Sequence, residues 1–398
     1  MTQNYSKKVE SIVRCILTYQ KITREELTTE LGIKKSTLTG YIDFLIGLKL
    51  IKETNIQTSS GGGRKPLYLE LDPDYGYVLA VVIEKKRIIS SLVNLKGELS
   101  YLEIHEDFSQ LDKTSILSFL IDRAKYFKEK LDKSKYLGIG ISLGGSVDSR
   151  IGVSHDNSYI KNWKDVPIAH IIEKAIDVKT IVIKDIESLA LGEHYFGNGI
   201  GLENILSIHL GTDIGMGIIA RRELYTGASS CSGELGHIIV DQNGPLCYCG
   251  RNGCLEKMVS VETLLEKCRM GLQQGVQSHV LNYINDDIDS LSVEHIIEAS
   301  NRNDVFSRKL FRDIGEYIGM KLSEIVTLFN PEMVCLRGSL INNNIFLFKQ
   351  IKDYIFSHSR SYNIKNLKLT FPEKEEHLKL KGTASIIFTK LPFLENKA

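Results

Sequence analysis

A chain of 398 residues exceeds one ordinary domain, and a mixture of 42% hydrophobic and 25% charged residues can bury a sizeable core. No apolar run approaches the roughly 20 residues that cross a bilayer, and no low-complexity tract interrupts the pattern, which argues against membrane-embedded and disordered classes. The net charge of +1 hides an asymmetry: residues 1–66 hold eleven Lys and Arg against six Asp and Glu, while the remainder holds 39 against 43. A basic front end therefore precedes a mildly acidic body, the pattern of a nucleic-acid-binding module joined to a body with another task.

In the front end, Val9, Ile12, Val13, Ile16 and Leu17 recur at helical spacing and predict an amphipathic first helix. Thr23 with Glu26 three residues on forms a capping box that opens a short second helix with Leu27 and Leu31 inward, and Gly32 turns the chain. A third helix over about 34–48 buries Leu38, Ile42, Leu45 and Leu48 and is predicted to expose Lys35, Ser36, Thr37, Thr39 and Tyr41 near its N-terminus. That is the end a recognition helix sends into a major groove. A polar strand over 52–58, the tip Ser59-Ser60-Gly61-Gly62-Gly63-Arg64-Lys65-Pro66 and a returning strand Leu67-Tyr68-Leu69 complete a winged helix-turn-helix over residues 1–70. The three glycines leave Arg64 and Lys65 free to enter a minor groove or clamp phosphates.

The body alternates strands and helices. Apolar strands are predicted over 77–83 and 88–95 around the charged turn 84–87, a helix over 114–130, and a buried strand over 136–142 that ends in Leu143-Gly144-Gly145-Ser146-Val147-Asp148. A helix around 166–175, a strand over 180–183 entering Lys184-Asp185-Ile186-Glu187, and a strand over 205–210 entering Gly211-Thr212-Asp213-Ile214-Gly215-Met216-Gly217 follow. Helices then cover about 261–271, 292–300 and 304–329. A strand from Asn330 reaches Arg337-Gly338-Ser339, and Lys381-Gly382-Thr383 opens a final helix.

Between these lies Ser232–Glu256, where His237 is followed by Cys247, Cys249 and Cys254. One imidazole and three thiolates make a full tetrahedral Zn²⁺ set, and Gly244, Pro245, Gly250 and Gly253 let the loop fold tightly enough to gather them. Seven cysteines, an odd number, behind an N-terminus without the apolar core of a signal peptide favour a reducing cytoplasm over a disulfide. With four protein ligands the metal is structural, and its work is to orient its neighbours.

Glu-Leu-Gly-His followed by Cys-x-Cys-Gly-x-x-Gly-Cys-x-Glu resembles the signature of the ROK family, which holds bacterial sugar kinases and sugar-responsive repressors on one fold. The resemblance implies that the winged helix-turn-helix (1–70) precedes an α/β actin-like, two-lobed domain of the sugar kinase/Hsp70 type (71–398). Its smaller lobe would span about 71–187 plus the C-terminal helix, and its larger lobe about 188–380 with the zinc loop 237–254. It further implies a sugar site built from Asn157, Asp185, Glu234, His237 and Glu256, with Asp185 at the position of the kinase base. The Gly-Gly-Arg tip resembles the linker of the family's repressors.

The family's kinases hold nucleotide phosphates on glycine-rich turns, and three of these turns differ here. The first, Asp-x-Gly-Gly-Thr in kinases, reads Val82-Ile83-Glu84-Lys85-Lys86; in the second Asp213 replaces a glycine; in the third only Gly338 remains. A pocket that keeps sugar contacts and loses nucleotide contacts fits a sensor. The resemblance thus implies a sugar-responsive transcriptional regulator of the xylose and N-acetylglucosamine repressor branch, with no catalytic residue in use. It would bind palindromic, double-stranded operator DNA as a homodimer, and sugar binding between the lobes would alter the spacing of the two recognition helices. The alternative is an ATP-dependent sugar kinase with a regulatory N-terminal domain.

Overall fold

The computed structural model describes residues 3–55, 67–106, 112–132, 135–371 and 375–391. The chain divides into two compact units, one of residues 1–201, 228–231 and 376–398, the other of 202–227 and 232–375.

The first unit begins with α1 (Gln3–Tyr19), β1 (Ile22–Thr23), α2 (Arg24–Leu31), α3 (Lys35–Gly47), β2 (Ile51–Asn55) and β3 (Leu67–Leu71), with β3 between β1 and β2 in a small antiparallel sheet. The Thr23–Glu26 capping box starts α2, and Gly32 ends it in the left-handed region at φ 60°. Three helices and a three-stranded antiparallel sheet thus follow the order expected of a winged helix-turn-helix, while the expected tip 59–66 lies outside the described residues.

Next come β4 (Tyr77–Ile83), β5 (Ile88–Asn94), β6 (Leu99–His105), α4 (Lys113–Lys130), β7 (Tyr136–Leu143), β8 (Ser146–Asp148), β9 (Val153–Asp156), β10 (Lys164–Val166), α5 (Ile168–Ile176), β11 (Thr180–Lys184) and α6 (Asp185–Phe196). Five strands order as β11-β7-β4-β5-β6, parallel between β11, β7 and β4 and antiparallel from there on. The centre strands β4 and β7 read as continuous apolar runs because both faces are covered. On one face Ile116 and Leu120 of α4 and Ile168 and Ile172 of α5 pack against Leu79, Val81, Ile139 and Ile141.

The second unit holds β12 (Ile205–Leu210), β13 (Ile214–Ala220), β14 (Glu223–Leu224), α7 (Leu255–Val259), α8 (Val261–Gln273), α9 (Val280–Ile284), α10 (Val293–Asn301), α11 (Val305–Phe329), β15 (Met333–Arg337), α12 (Ile345–His358), α13 (Ser361–Ile364) and β16 (Lys368–Thr370). Its sheet orders as β14-β13-β12-β15-β16, with β12, β15 and β16 parallel. The 25-residue α11 buries Leu310, Phe311, Ile314, Ile318 and Leu322 against this sheet and α12. The chain returns to the first unit through α14 (Glu375–Lys390).

The structure corrects three expectations. The final helix begins at Glu375, six residues before Lys381. The division at 187/188 moves beyond α6, which belongs to the first unit. Close backbone approach seats it there: a Cβ on Gly192 would meet Leu378 O at 2.2 Å, and one on Gly382 would meet Ser188 O at 1.7 Å. Tyr41 is not exposed with Lys35, Ser36, Thr37 and Thr39; it is 8% accessible. Three residues beyond Leu38, it falls on the buried stripe of α3 and rests on Tyr5 of α1 with ring centroids 4.8 Å apart.

Candidate functional site

The four metal-type residues converge. His237 ends a short 3-10 turn, Cys247 and Cys249 sit in the following loop, and Cys254 caps α7. The loop folds back on itself by bridges Ile239↔Cys254 and Leu246↔Asn252, with Cys247 N donating to Arg251 O at 2.8 Å. Gly253 is required at φ 66°, because a Cβ there would fall 1.5 Å from Asp241 O. The ligand atoms of His237, Cys247, Cys249 and Cys254 all lie within 4.8 Å of one another. Cys249 Sγ is 3.5 Å from Cys254 Sγ, and Cys247 Sγ is 3.7 Å from His237 Nδ1. Tetrahedral Zn²⁺ sets edges of about 3.8 Å between sulfurs and about 3.6 Å between sulfur and nitrogen, so the donor set fits. The other ring nitrogen, His237 Nε2, is 3.0 Å from the Tyr248 hydroxyl. Tyr248 is a partner the sequence reading missed.

The segment that carries His237 packs closely against Glu256. Gly236 packs where a Cβ would meet Ile214 O at 2.5 Å and Glu256 Oε2 at 3.0 Å, which is why glycine stands in Glu-Leu-Gly-His. Glu256, two residues past Cys254, is 9% accessible and accepts the Ile214 amide at 3.0 Å. Burial raises its carboxyl above the ordinary range, the Ile214 hydrogen bond opposes, and the charge of Asp213 adds to the rise. Glu234 is exposed.

In the first unit, Asp185 is the first residue of α6, half-buried, with Oδ1 accepting the Ile186 amide at 2.8 Å. Its Oδ2 lies 3.7 Å from where a Cβ on Gly144 would stand, and Tyr159 Cε2 lies at the same distance from that point. Asn157 is committed to its own loop: Nδ2 donates to Gly144 O at 3.0 Å and Oδ1 accepts Tyr159 N at 3.0 Å, leaving it 5% accessible. It orders the turn that carries Tyr159, a residue the sequence reading passed over. Glu187 was also missed as a charge in its own right. One oxygen accepts the Lys184 amide at 3.2 Å, and burial pushes the carboxyl up to about 7.

The nucleotide-type turns are occupied by charge. Glu84 N bonds Arg87 O at 2.9 Å, and the Glu84 carboxylate pairs with Arg87 at 2.7 Å and with Lys379 of α14 at 3.1 Å. Burial lifts the Glu84 carboxyl, but Lys379 and Arg87 together bring it below its ordinary value. Glu84, Lys85, Lys86, Arg87 and Glu106 line an open cleft of about 500 Å³. In the second unit Asp213 is exposed in its turn, while Arg337, ending β15, is fully buried beside Gly338 at φ 102°.

The exposed Lys35, Ser36, Thr37 and Thr39 lie together in the first turns of α3. Arg64 and Lys65 lie outside the described residues. Among the described residues, no helix is long and apolar enough to cross a membrane.

Comparisons with known proteins agree with this geometry. The xylose repressor of Bacillus spizizenii is 28% identical over 359 residues, spanning 89% of this chain and 88% of the repressor. A solved ROK family transcriptional regulator, a homologue of Escherichia coli Mlc, matches with a TM-score of 0.82 at 23% identity and covers 98% of both chains. The ROK family glucokinase of Streptomyces griseus, solved with glucose and AMPPNP, matches with a TM-score of 0.66 at 23% identity, covering 78% of this chain and 99% of the kinase. These likenesses establish the actin-like fold of the body. The ROK family profile itself matches residues 86–390, and with the Glu-Leu-Gly-His and Cys-x-Cys segments folded into one cluster, the chain belongs to the ROK family.

Proposed function

We propose that this chain is a sugar-responsive transcriptional repressor that has given up phosphoryl transfer. Lys35, Ser36, Thr37 and Thr39 of α3 would read the major groove of operator DNA, with Arg64 and Lys65 on the wing against the backbone or minor groove. A homodimer would place two such helices on a palindromic operator. Asp185, Glu234, His237 and Glu256 would contact sugar hydroxyls, with Asn157 holding the loop near Asp185. His237, Cys247, Cys249 and Cys254 would hold a structural Zn²⁺, which when bound fixes the loop from which Glu256 is presented.

The observation that carries this reading is the charge at the first phosphate turn. A kinase needs close-approaching backbone amides there, and Glu84 instead offers a carboxylate already bound to Arg87 and Lys379. Asp213 in the second turn would repel a triphosphate in the same sense. Retention of Asp185 alone does not favour a kinase, since a carboxylate at a strand end also binds a sugar hydroxyl without chemistry.

The test is a thermal-shift screen of D-xylose, D-glucose, N-acetyl-D-glucosamine and their phosphates, each with and without ATP and Mg²⁺. The expected result is a rise in Tm with a sugar and none with ATP. Sugar-dependent ADP formation above background would overturn the repressor-only reading in favour of an ATP-dependent sugar kinase.

A further inference from the structure

The helix that starts at Asp185 ends against the DNA-binding module. With 12 residues, α6 is about 18 Å long, and its two ends meet different parts of the first unit.

Its sides are held too closely for it to bend or slide sideways. The Ser188 hydroxyl is 3.1 Å from that of Ser142 on β7, and α14 crosses through Gly192 and Gly382 with no room for a Cβ on either. A further close approach, Gly140 of β7 to Thr383 O, where a Cβ would come within 2.4 Å, fixes α14 on the same sheet. A helix packed in this way moves as one piece.

Its far end is joined to α1 by hydrogen bonds that answer unmet carbonyls of both helices. The Gln20 side-chain amide donates to Leu17 O at 2.8 Å and to Tyr195 O at 2.9 Å, so one group caps the last turns of α1 and α6 together. Gln20 takes φ 62° to do so. Gly201 N donates to Thr18 O at 3.2 Å. Thr18 and His194 are both fully buried, with Thr18 Oγ1 3.5 Å from His194 Nε2. Because the Thr18 hydroxyl donates to Arg14 O at 2.9 Å, it faces the ring as an acceptor, which places the proton on His194 Nε2. From α1 the path continues through Tyr5, whose ring meets both Tyr41 and Phe44 of the recognition helix, at 4.8 and 5.9 Å.

We propose that α6 is the shaft that carries the state of Asp185 to the winged helix, and that Gln20 and His194 are the positioning residues at its output end. The inference rests on the reading of Asp185 as a sugar contact, and names the route by which that contact acts. A displacement at the first residue of α6 reaches Tyr195 undiminished and shifts the last turn of α1, and with it the Tyr5–Tyr41 contact that sets α3.

The test is hydrogen–deuterium exchange on the full-length protein, read over residues 12–20 and 35–47. Asp185→Asn perturbs one end of the shaft without any ligand. D-xylose, D-glucose and N-acetyl-D-glucosamine at millimolar concentration form a second arm. Asp185→Asn is expected to change exchange in both segments by roughly threefold or more, and the change is expected to disappear when Gln20→Ala is added. Thr18→Val, which keeps shape and removes the acceptor, serves as a second variant, and circular dichroism checks that each remains folded. Parent-like exchange in Asp185→Asn, or a response that survives both Gln20→Ala and Thr18→Val, overturns the proposal. A response to Asp185→Asn with no sugar raising Tm leaves the shaft standing and sinks the sugar reading. A sugar that raises Tm while leaving residues 12–20 unchanged does the reverse.

Discussion

Cys247 Sγ stands 3.7 Å from His237 Nδ1, while the opposite nitrogen of the same ring stands 3.0 Å from the Tyr248 hydroxyl. The imidazole is therefore oriented from both sides, one nitrogen toward the thiols and the other toward a phenol. That division would suit a histidine that holds a metal, because the partner of the second nitrogen fixes the tautomer presented to the first.

The metal prediction follows directly. The purified protein is expected to contain about one Zn²⁺ per chain, the ratio four protein ligands imply. Cys249→Ser is expected to lose most of it, to lower Tm, and to weaken the sugar response, because Glu256 hangs on the loop that the metal would fix. DNA binding is expected to survive in part, since the winged helix lies in the other unit. Elemental analysis by mass spectrometry reads the first effect. Full zinc content in Cys249→Ser removes the thiol from the ligand set.

Much of this was legible in the sequence because the signals were local. The Thr23–Glu26 capping box, the Gly32 stop and the His-Cys-Cys-Cys spacing each depend on residues close along the chain, and each appears in the structure. What was not legible depended on partners far away. Tyr41 reads as a polar-tipped surface residue until Tyr5, 36 positions earlier, covers it. The place of α6 is decided by Gly192 meeting Leu378 and Gly382 meeting Ser188, and neither glycine announces its neighbour. The same holds for Glu84, whose partner Lys379 is 295 residues away.

That ion pair gives a second prediction. Lys379 is 8% accessible, so Glu84→Gln leaves a nearly buried ammonium with a weaker acceptor, and is expected to destabilise the fold by about 1–3 kcal/mol. The Glu84 carboxyl sits below its ordinary value, so its stabilising contribution is present above the unfolded carboxyl range and is lost as pH falls through the folded value. The difference between parent and variant in urea unfolding should therefore shrink on acidification. ATP is expected to leave Tm unchanged in the parent and in the variant alike.

The helix α3 separates two kinds of residue by burial. Lys35→Ala is expected to weaken operator binding several-fold and make its salt dependence shallower by about one counterion, with Tm unchanged, because Lys35 is exposed. Tyr41→Ala is expected to lower Tm by opening a cavity beside Tyr5, and to weaken binding only through that loss. Selection from random duplexes supplies the operator, and anisotropy titrations at several salt concentrations supply the slopes. An unchanged slope for Lys35→Ala takes that side chain out of the interface.

Glu187 carries the clearest pH signature. Burial raises its carboxyl from 4.5 to about 7, with the Lys184 amide and ammonium pulling the other way and Asp185 adding to the rise. The folded chain therefore holds the proton more tightly than the unfolded one, so this group's stabilising contribution is complete below the ordinary carboxyl value and is lost as pH climbs through about 7. Glu187→Gln keeps an oxygen for the Lys184 amide and never ionises. It is expected to be more stable than the parent by about 1–3 kcal/mol near pH 8, with the gain fading toward pH 5. Urea midpoints across that range read the effect. A variant less stable than the parent at pH 8 would mean that the ionised carboxylate is held by Lys184 and Lys390 strongly enough to outweigh its burial.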